Sequence, residues 1–270
     1  VSPESSERNR KPDSPLSRPL RAPSRQRPPE FIAAFDAKTL FYDCFWHADG
    51  SRILLVGPPP GQMLPFHSLA KFTAQPSGTA LKSRLHASLS VMLTELRSVP
   101  AGTTRIGIEF AGQHFDLAVQ PNSSSELAGR RVLFSVNKNN DLKWVREWAH
   151  FHASTHGANA VILFDNGSTS YGVDDVAATL QSVPGLTHIA VPHWPYPFGP
   201  IDRTLRVNPF WSRFFQISTM SVVLRRYGAA AAGLLNCDID ELAGTRSGRS
   251  IFTLAEDSRS GLVTFRGQWI

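Results

Sequence analysis

The stretch Gly233-Leu234-Leu235-Asn236-Cys237-Asp238-Ile239-Asp240-Glu241-Leu242 carries an apolar run straight into an acidic triplet. It reads as a buried strand whose exit bears two carboxylates one residue apart. On an extended backbone, residues i and i+2 point to the same side. Asp238 and Asp240 then converge while Ile239 turns back into the core. Two hard anionic oxygen donors at a strand's end suit Mg²⁺ or Mn²⁺, with water and phosphate oxygens completing the shell. A plain strand exit with solvated acids has the same spelling, so the weight falls on the residues upstream.

Upstream, apolar runs alternate with helical periodicity. Val132-Leu133-Phe134-Ser135-Val136 is a continuous apolar strand. Residues 141–156 form a helix, with Leu142, Val145, Trp148 and His152 at 3–4 spacing, Asp141 suited to its first turn and Gly157 to its end. Ala160-Val161-Ile162-Leu163-Phe164 is a second buried strand, 173–180 a second helix and 187–191 a third strand. A Pro- and aromatic-rich loop, His193-Trp194-Pro195-Tyr196-Pro197-Phe198, leads to a long helix over 208–227 and then the opening strand. Strands alternating with helices predict a mostly parallel sheet covered on both faces, with ligands bound beyond the strands' carboxyl ends.

Polar clusters fall at those ends. Asn137-Lys138-Asn139-Asn140 follows the first strand and can offer amide and ammonium groups to a nucleotide. Asp165-Asn166-Gly167-Ser168-Thr169-Ser170 follows the second, where Asp165 is placed to accept from ribose hydroxyls or a base N–H. Ser168 and Ser170 serve equally well as helix caps, so turn chemistry accounts for this cluster too. The third is the Asp238/Asp240 pair with Glu241. On the helix before it, Arg213 and Gln216 are the polar exceptions in an aromatic stripe.

Taken in order, Lys138-Asn139-Asn140, Glu147-Trp148 with His152 four residues on from the Trp, Phe164-Asp165-Asn166-Gly167-Ser168 and Cys237-Asp238-Ile239-Asp240-Glu241 resemble the glycosyltransferase family 2-like and family 92-like proteins of the A-type, Rossmann-like glycosyltransferase fold. The resemblance covers about 132–270. Asn140 stands where that family has Glu, Ser170 where it has Asp, and Leu242-Ala243 where it has an aromatic pair. The resemblance implies a metal-dependent, hexosyl-type transferase acting on a nucleotide-sugar donor, UDP-linked, and a glycan or other hydroxyl acceptor. Lys138, Asn139, Asp165, Asn166 and Ser168 would hold the nucleotide. Asp238 and Asp240 would hold Mn²⁺ or Mg²⁺ on the diphosphate, with Asp240 and Glu241 as catalytic groups. Arg213, Gln216 and Trp269 are candidates for contact with acceptor or donor sugar. No general base stands out, Glu241 and Asp257 being fallbacks. The chain stops soon after a further expected strand at Gly261-Leu262-Val263-Thr264-Phe265, as a fragment or a truncated relative would.

Between 31 and 121 the patterning is that of strands. Thr104 to Phe110 alternates, Ala111-Gly112 marks a turn, and His114 to Val119 follows as hairpin partner. The run from Leu81 to Leu96 fits helix or strand. These signals predict a small antiparallel sandwich, followed by a linker at Asn122-Ser123-Ser124-Ser125 and the transferase-like domain over 129–270. His47, His67, His86 and His114 lack metal-ligand spacing. Residues 1–30, with seven prolines and a surplus of three positive charges, predict a disordered basic tail.

That surplus is half of the formal +6, leaving the rest of the chain only mildly basic. Clustered Lys/Arg with interleaved aromatics is absent from it, which argues against nucleic acid as a partner. The tail's charge allows a weak contact with anionic lipid. Hydrophobic residues make up 41 % and charged residues 19 %, within the range of ordinary globular proteins. No apolar run reaches the ~20 residues of a membrane helix. Cys44 and Cys237 read as small buried hydrophobes rather than a disulfide or zinc site. These features predict a cytoplasmic protein able to lie at the inner face of the membrane. A non-catalytic sugar- or nucleotide-binding relative is the alternative reading.

Overall fold

The chain across 43–118 forms seven antiparallel strands, β1 (Asp43–Trp46), β2 (Ile53–Gly57), β3 (Lys71–Gln75), β4 (Thr79–Ala87), β5 (Met92–Arg97), β6 (Arg105–Phe110) and β7 (Gln113–Ala118), and the ambiguous run from Leu81 to Leu96 is strand. The computed structural model describes residues 13–267. The strand order is β1-β2-β5-β4-β3-β6-β7. β4 turns the corner, pairing Thr79 to Leu81 with β3 and Lys82 to Ala87 with β5. The two edges then approach each other. The Trp46 N–H donates to the Gln120 carbonyl at 3.0 Å, and the Gln120 N–H to the Cys44 carbonyl at 2.8 Å. Both hydrogen bonds satisfy edge groups that an open sheet would leave to water. One nearly closed sheet therefore replaces the expected sandwich. Its interior holds Leu40, Phe41, Ile53, Leu55, Met92, Ile106, Ile108 and Phe110, all at most 1 % exposed. The β6–β7 hairpin turns on Ala111 and Gly112, both at positive φ, as a two-residue hairpin loop demands.

The second sheet is parallel, in the order β10-β9-β8-β11. It comprises β8 (Arg131–Asn137), β9 (Ala160–Asp165), β10 (His188–Ala190) and β11 (Gly233–Asn236). Short helices α1 (Pro29–Ala34) and α2 (Leu64–Ser68) belong to the antiparallel part, while α3 (Leu142–His156) and α4 (Val173–Gln181) connect the parallel strands. Asp141 caps α3 by accepting from the Lys143 N–H at 2.8 Å, and Gly157 ends it in the left-handed region at φ 71°. The buried face of α3 (Val145, Trp148, Ala149, His152) packs with Leu133, Val161, Leu163 and Leu235 of the sheet in one core. Phe252 of α6 (Ile251–Asp257) completes it and lies close over Gly233, where a Cβ would meet its ring at 2.6 Å and force it to shift.

The chain is thus not a Rossmann-like, mostly parallel sheet. The larger sheet is antiparallel, with seven strands against four. Helix–strand alternation past residue 129 suggested a longer parallel sheet, but two pieces do not contribute to it. Residues 262–267 form no strand. Tyr196–Arg226 belongs with residues 13–122 in one compact unit, while Ser123–Pro195 and 227–267 make the other.

Within the first unit, the helix expected over 208–227 begins only at Phe214. It runs as α5 (Phe214–Val222) and continues as a wider turn over Val223–Tyr227. Before it, the Asp202 carboxylate gathers the chain into a loop. It accepts from Trp211 Nε1 at 2.8 Å, Arg27 Nη2 at 3.0 Å and Thr204 Oγ1 at 2.6 Å. Burial raises the Asp202 carboxyl pKa, and the hydrogen bonds from Thr204, Trp211 and Arg27 outweigh this, holding it down to about 2.

The expected tail disorder is also corrected for 13–30. Asp13 bridges Thr39, and Arg18 is 4 % exposed, its guanidinium donating to the carbonyls of Pro59, Asp36 and Thr39. Three of the fork's five N–H groups go to backbone carbonyls and the side chain is buried, so this arginine serves the fold rather than solvent. Residues 1–12 lie outside the described residues. Among the described residues no helix is long and apolar enough to cross a membrane.

Candidate functional site

The loops leaving β8 and β9 are tied into one another. Asn137, fully buried at the end of β8, donates from Nδ2 to Asp165 Oδ1 at 3.2 Å and to the Tyr171 hydroxyl at 3.1 Å. The Tyr171 hydroxyl donates to the Asn140 carbonyl at 2.7 Å. Asn139 adopts φ 54° and staples the second loop. Its N–H donates to Ser168 Oγ at 3.0 Å, and its Oδ1 accepts from the N–H groups of Thr169 at 2.8 Å and Ser170 at 3.0 Å. Asn is among the few residues that adopt a left-handed backbone at low cost, which explains its place here.

Asp165 is 2 % exposed. Its carboxylate accepts from the Ser168 N–H at 3.0 Å and from Ser168 Oγ at 2.5 Å, and lies 3.4 Å from His193 Nδ1. Asn166, 3 % exposed, donates from Nδ2 to the Trp194 carbonyl at 2.8 Å. Asp165, Asn166 and Ser168 therefore build the rim of the site, and Lys138 stands exposed on it. Asn137 opens the first polar cluster read from the sequence, whereas Tyr171 and His193 are the members that sequence reading missed, since they meet it only through the fold.

The acidic triplet takes a different shape from the extended one expected. β11 ends at Asn236, and the Glu241 N–H donates to the Asp238 carbonyl at 3.0 Å, closing a turn with Ile239 and Asp240 at its centre. The alternation of a strand does not reach Asp240, so the convergence of Asp238 and Asp240 inferred from i, i+2 spacing does not apply. Both acids are exposed and sit on one four-residue turn. Glu241 Oε2 accepts from the Asp238 N–H at 3.3 Å, placing Glu241 as the turn's brace. Asp257 is engaged with Arg249. Asp240 makes no hydrogen bond or ion pair among the described residues. No group of three or more His, Cys, Asp or Glu is gathered for a metal ion among them. Cys237 is a free buried thiol, pushed up to about 12 by burial and then by Glu241 and Asp238.

Two histidines of α3 hold this turn. The His152 ring accepts the Ala243 N–H at Nε2, 3.2 Å away, and donates from Nδ1 to the Trp148 carbonyl at 2.8 Å. His156 donates from Nε2 to the Ala243 carbonyl and accepts the Ile251 N–H at Nδ1, 3.2 Å away. Each ring thus acts once as donor and once as acceptor, the pattern of neutral imidazole. Burial, the largest cause, lowers the His152 pKa, and His156 lowers it further against the Trp148 hydrogen bond. Between α3 and the acidic turn lies a cleft of about 530 Å³ floored by Trp148, with Asp240 on its wall.

Arg213 and Gln216 belong to the unit that holds the antiparallel sheet. The Arg213 guanidinium lies over the rings of Phe198 and Phe210, at 5.3 and 5.0 Å. Trp269 lies outside the described residues. Compared with models of known protein families and with curated proteins, the chain matches none.

Proposed function

We propose that the chain binds a nucleotide-sugar donor, UDP-linked, at the carboxyl ends of β9, β8 and β11, and transfers its sugar to a glycan or other hydroxyl acceptor. The observation that carries this reading is the position of three polar segments, 137–140, 165–170 and 238–241, each following one of three adjacent parallel strands. The order of the sheet reverses at β8, with β9 and β10 on one side and β11 on the other. That reversal is where open parallel sheets form a ligand crevice.

Lys138 supplies a cation for phosphate oxygens, and the stapled loops supply a rigid rim. Asp238 and Asp240, exposed on one four-residue turn although they do not converge as strand neighbours, would hold Mg²⁺ or Mn²⁺ that takes its other ligands from water and a diphosphate. When bound, such an ion offsets the charge that develops on a leaving diphosphate. On this reading the chain is a cytoplasmic enzyme, and nucleic acid is not its partner.

A non-catalytic sugar- or nucleotide-binding role is favoured by one feature. The Asp165 carboxylate is already occupied by Asn137, Ser168 and His193, which leaves it poorly placed to accept from a nucleotide. Incubation with UDP-glucose or UDP-N-acetylglucosamine and Mn²⁺ separates the two. Transfer predicts release of UDP that falls at least about 100-fold in Asp240→Asn. Release unchanged by that variant would overturn the role given to Asp240. Binding of UDP without release favours the non-catalytic role.

A further inference from the structure

The cleft beside α3 is walled by the turn that carries Asp240. Trp144, Glu147 and Phe151 project from one stripe of the helix at i, i+3 and i+7, next to the stripe that packs into the core. Such spacing places all three on one face. Trp144 is 59 % exposed and Leu242, on the opposite wall, 60 %. Large apolar side chains are seldom left this open on both sides of one depression unless something covers them. At about 530 Å³ the cleft falls within the ~300–1,000 Å³ of small-molecule sites, and like them it is mainly apolar with a few polar groups at its wall.

The polar groups decide the occupant. Glu147 and Asp240 supply acceptors, and His150 and Ser154 can donate. The Glu147 carboxylate already meets Arg146 Nη2 at 2.7 Å, which leaves Asp240 as the one lining acid without an ion pair among the described residues. A cationic peptide would require several such acids. A hydroxyl-rich ring requires donors and acceptors together, plus a flat aromatic face for its C–H surface.

We propose that this cleft is a saccharide subsite, with a sugar ring stacked on the Trp144 indole and its hydroxyls held by Asp240 and Glu147. It deepens the function proposed above by placing the acceptor, and in that respect rests on it. Saccharide binding itself is measurable without any transfer.

The test is saturation-transfer NMR with maltose, cellobiose, lactose and N,N′-diacetylchitobiose as probes. Wild type, Trp144→Ala and Trp144→Phe are compared, with circular dichroism confirming that each variant is folded. At least one disaccharide is expected to bind. Its affinity should fall at least about tenfold in Trp144→Ala and recover in part in Trp144→Phe, since stacking on an aromatic face is what the substitution removes. UDP binding should be equal in all three. The proposal is overturned if no disaccharide binds wild type, or if binding survives Trp144→Ala unchanged. It is also overturned if a tetralysine peptide binds at Trp144 and the sugars do not. Should wild type bind a disaccharide through Trp144 but not UDP, the saccharide subsite stands and the donor reading fails.

Discussion

His152 and His156 hold the N–H and carbonyl of a single residue, Ala243, and with them the turn that carries Asp238 and Asp240. Because burial lowers the His152 pKa, the folded state binds its proton less readily than the unfolded chain does. The stability this neutral ring contributes is complete above its ordinary value near 6.5 and is lost as the pH falls below it. Urea midpoints measured from pH 8 to pH 5 should therefore decline, and His152→Gln should flatten part of that decline because an amide does not titrate. His67, lowered to about 4 chiefly by burial, accounts for part of what remains. A decline identical in both proteins would contradict the clamp. In the sequence, His152 was legible as a member of the buried stripe of its helix. Its partner was not, because Ala243 lies 91 positions away and only packing joins them.

Helix α3 shows how much local chemistry specifies by itself. Its Asp141 cap, its buried stripe and its Gly157 stop could all be read from spacing, because each acts within a few residues. The helix expected over 208–227 fails for a reason outside its own periodicity. Asp202 draws Trp211 and Thr204 into a loop, and the loop passes so close to itself that Gly199 has no room for a side chain. A Cβ there would meet the Ser212 carbonyl oxygen at 2.1 Å, on a backbone at φ 94°. Gly199→Ala should destabilise the protein by about 2–4 kcal/mol, read as a lowered denaturant midpoint with an unchanged slope. A midpoint within error of wild type would mean that the loop relaxes freely. The acidic stretch belongs to the same lesson. Its residues were legible, but their geometry was not, because a single hydrogen bond from Glu241 to Asp238 turns the chain where alternation predicts it to continue.

At the scale of the whole chain, neither compact unit is one continuous segment, and strand counting along the sequence could not separate them. The seven-stranded sheet near closure depends on Gln120 meeting β1, a pairing across 74 positions that no local pattern signals. Arg226, at the end of Tyr196–Arg226, is anchored in the same unit by Asp43. Nη1 meets Oδ2 at 3.1 Å with the side chains 2 % and 1 % exposed. Nε donates to the Pro121 carbonyl at 3.2 Å. Removing one partner of a buried pair leaves an uncompensated charge, which costs about 3–5 kcal/mol. Arg226→Ala should lower unfolding free energy by that amount, whereas substituting both partners with apolar residues should cost less. Equal losses in the single and double variants would show that the pair contributes only packing.

What this sheet arrangement does for function turns on whether the turn after β11 receives a nucleotide and a metal ion. Calorimetric titration of UDP into the full chain, with and without Mn²⁺, on wild type and Asp240→Ala, tests that most directly. Binding should require Mn²⁺ and disappear in the variant. Binding that is independent of the metal and unchanged by Asp240→Ala would contradict it.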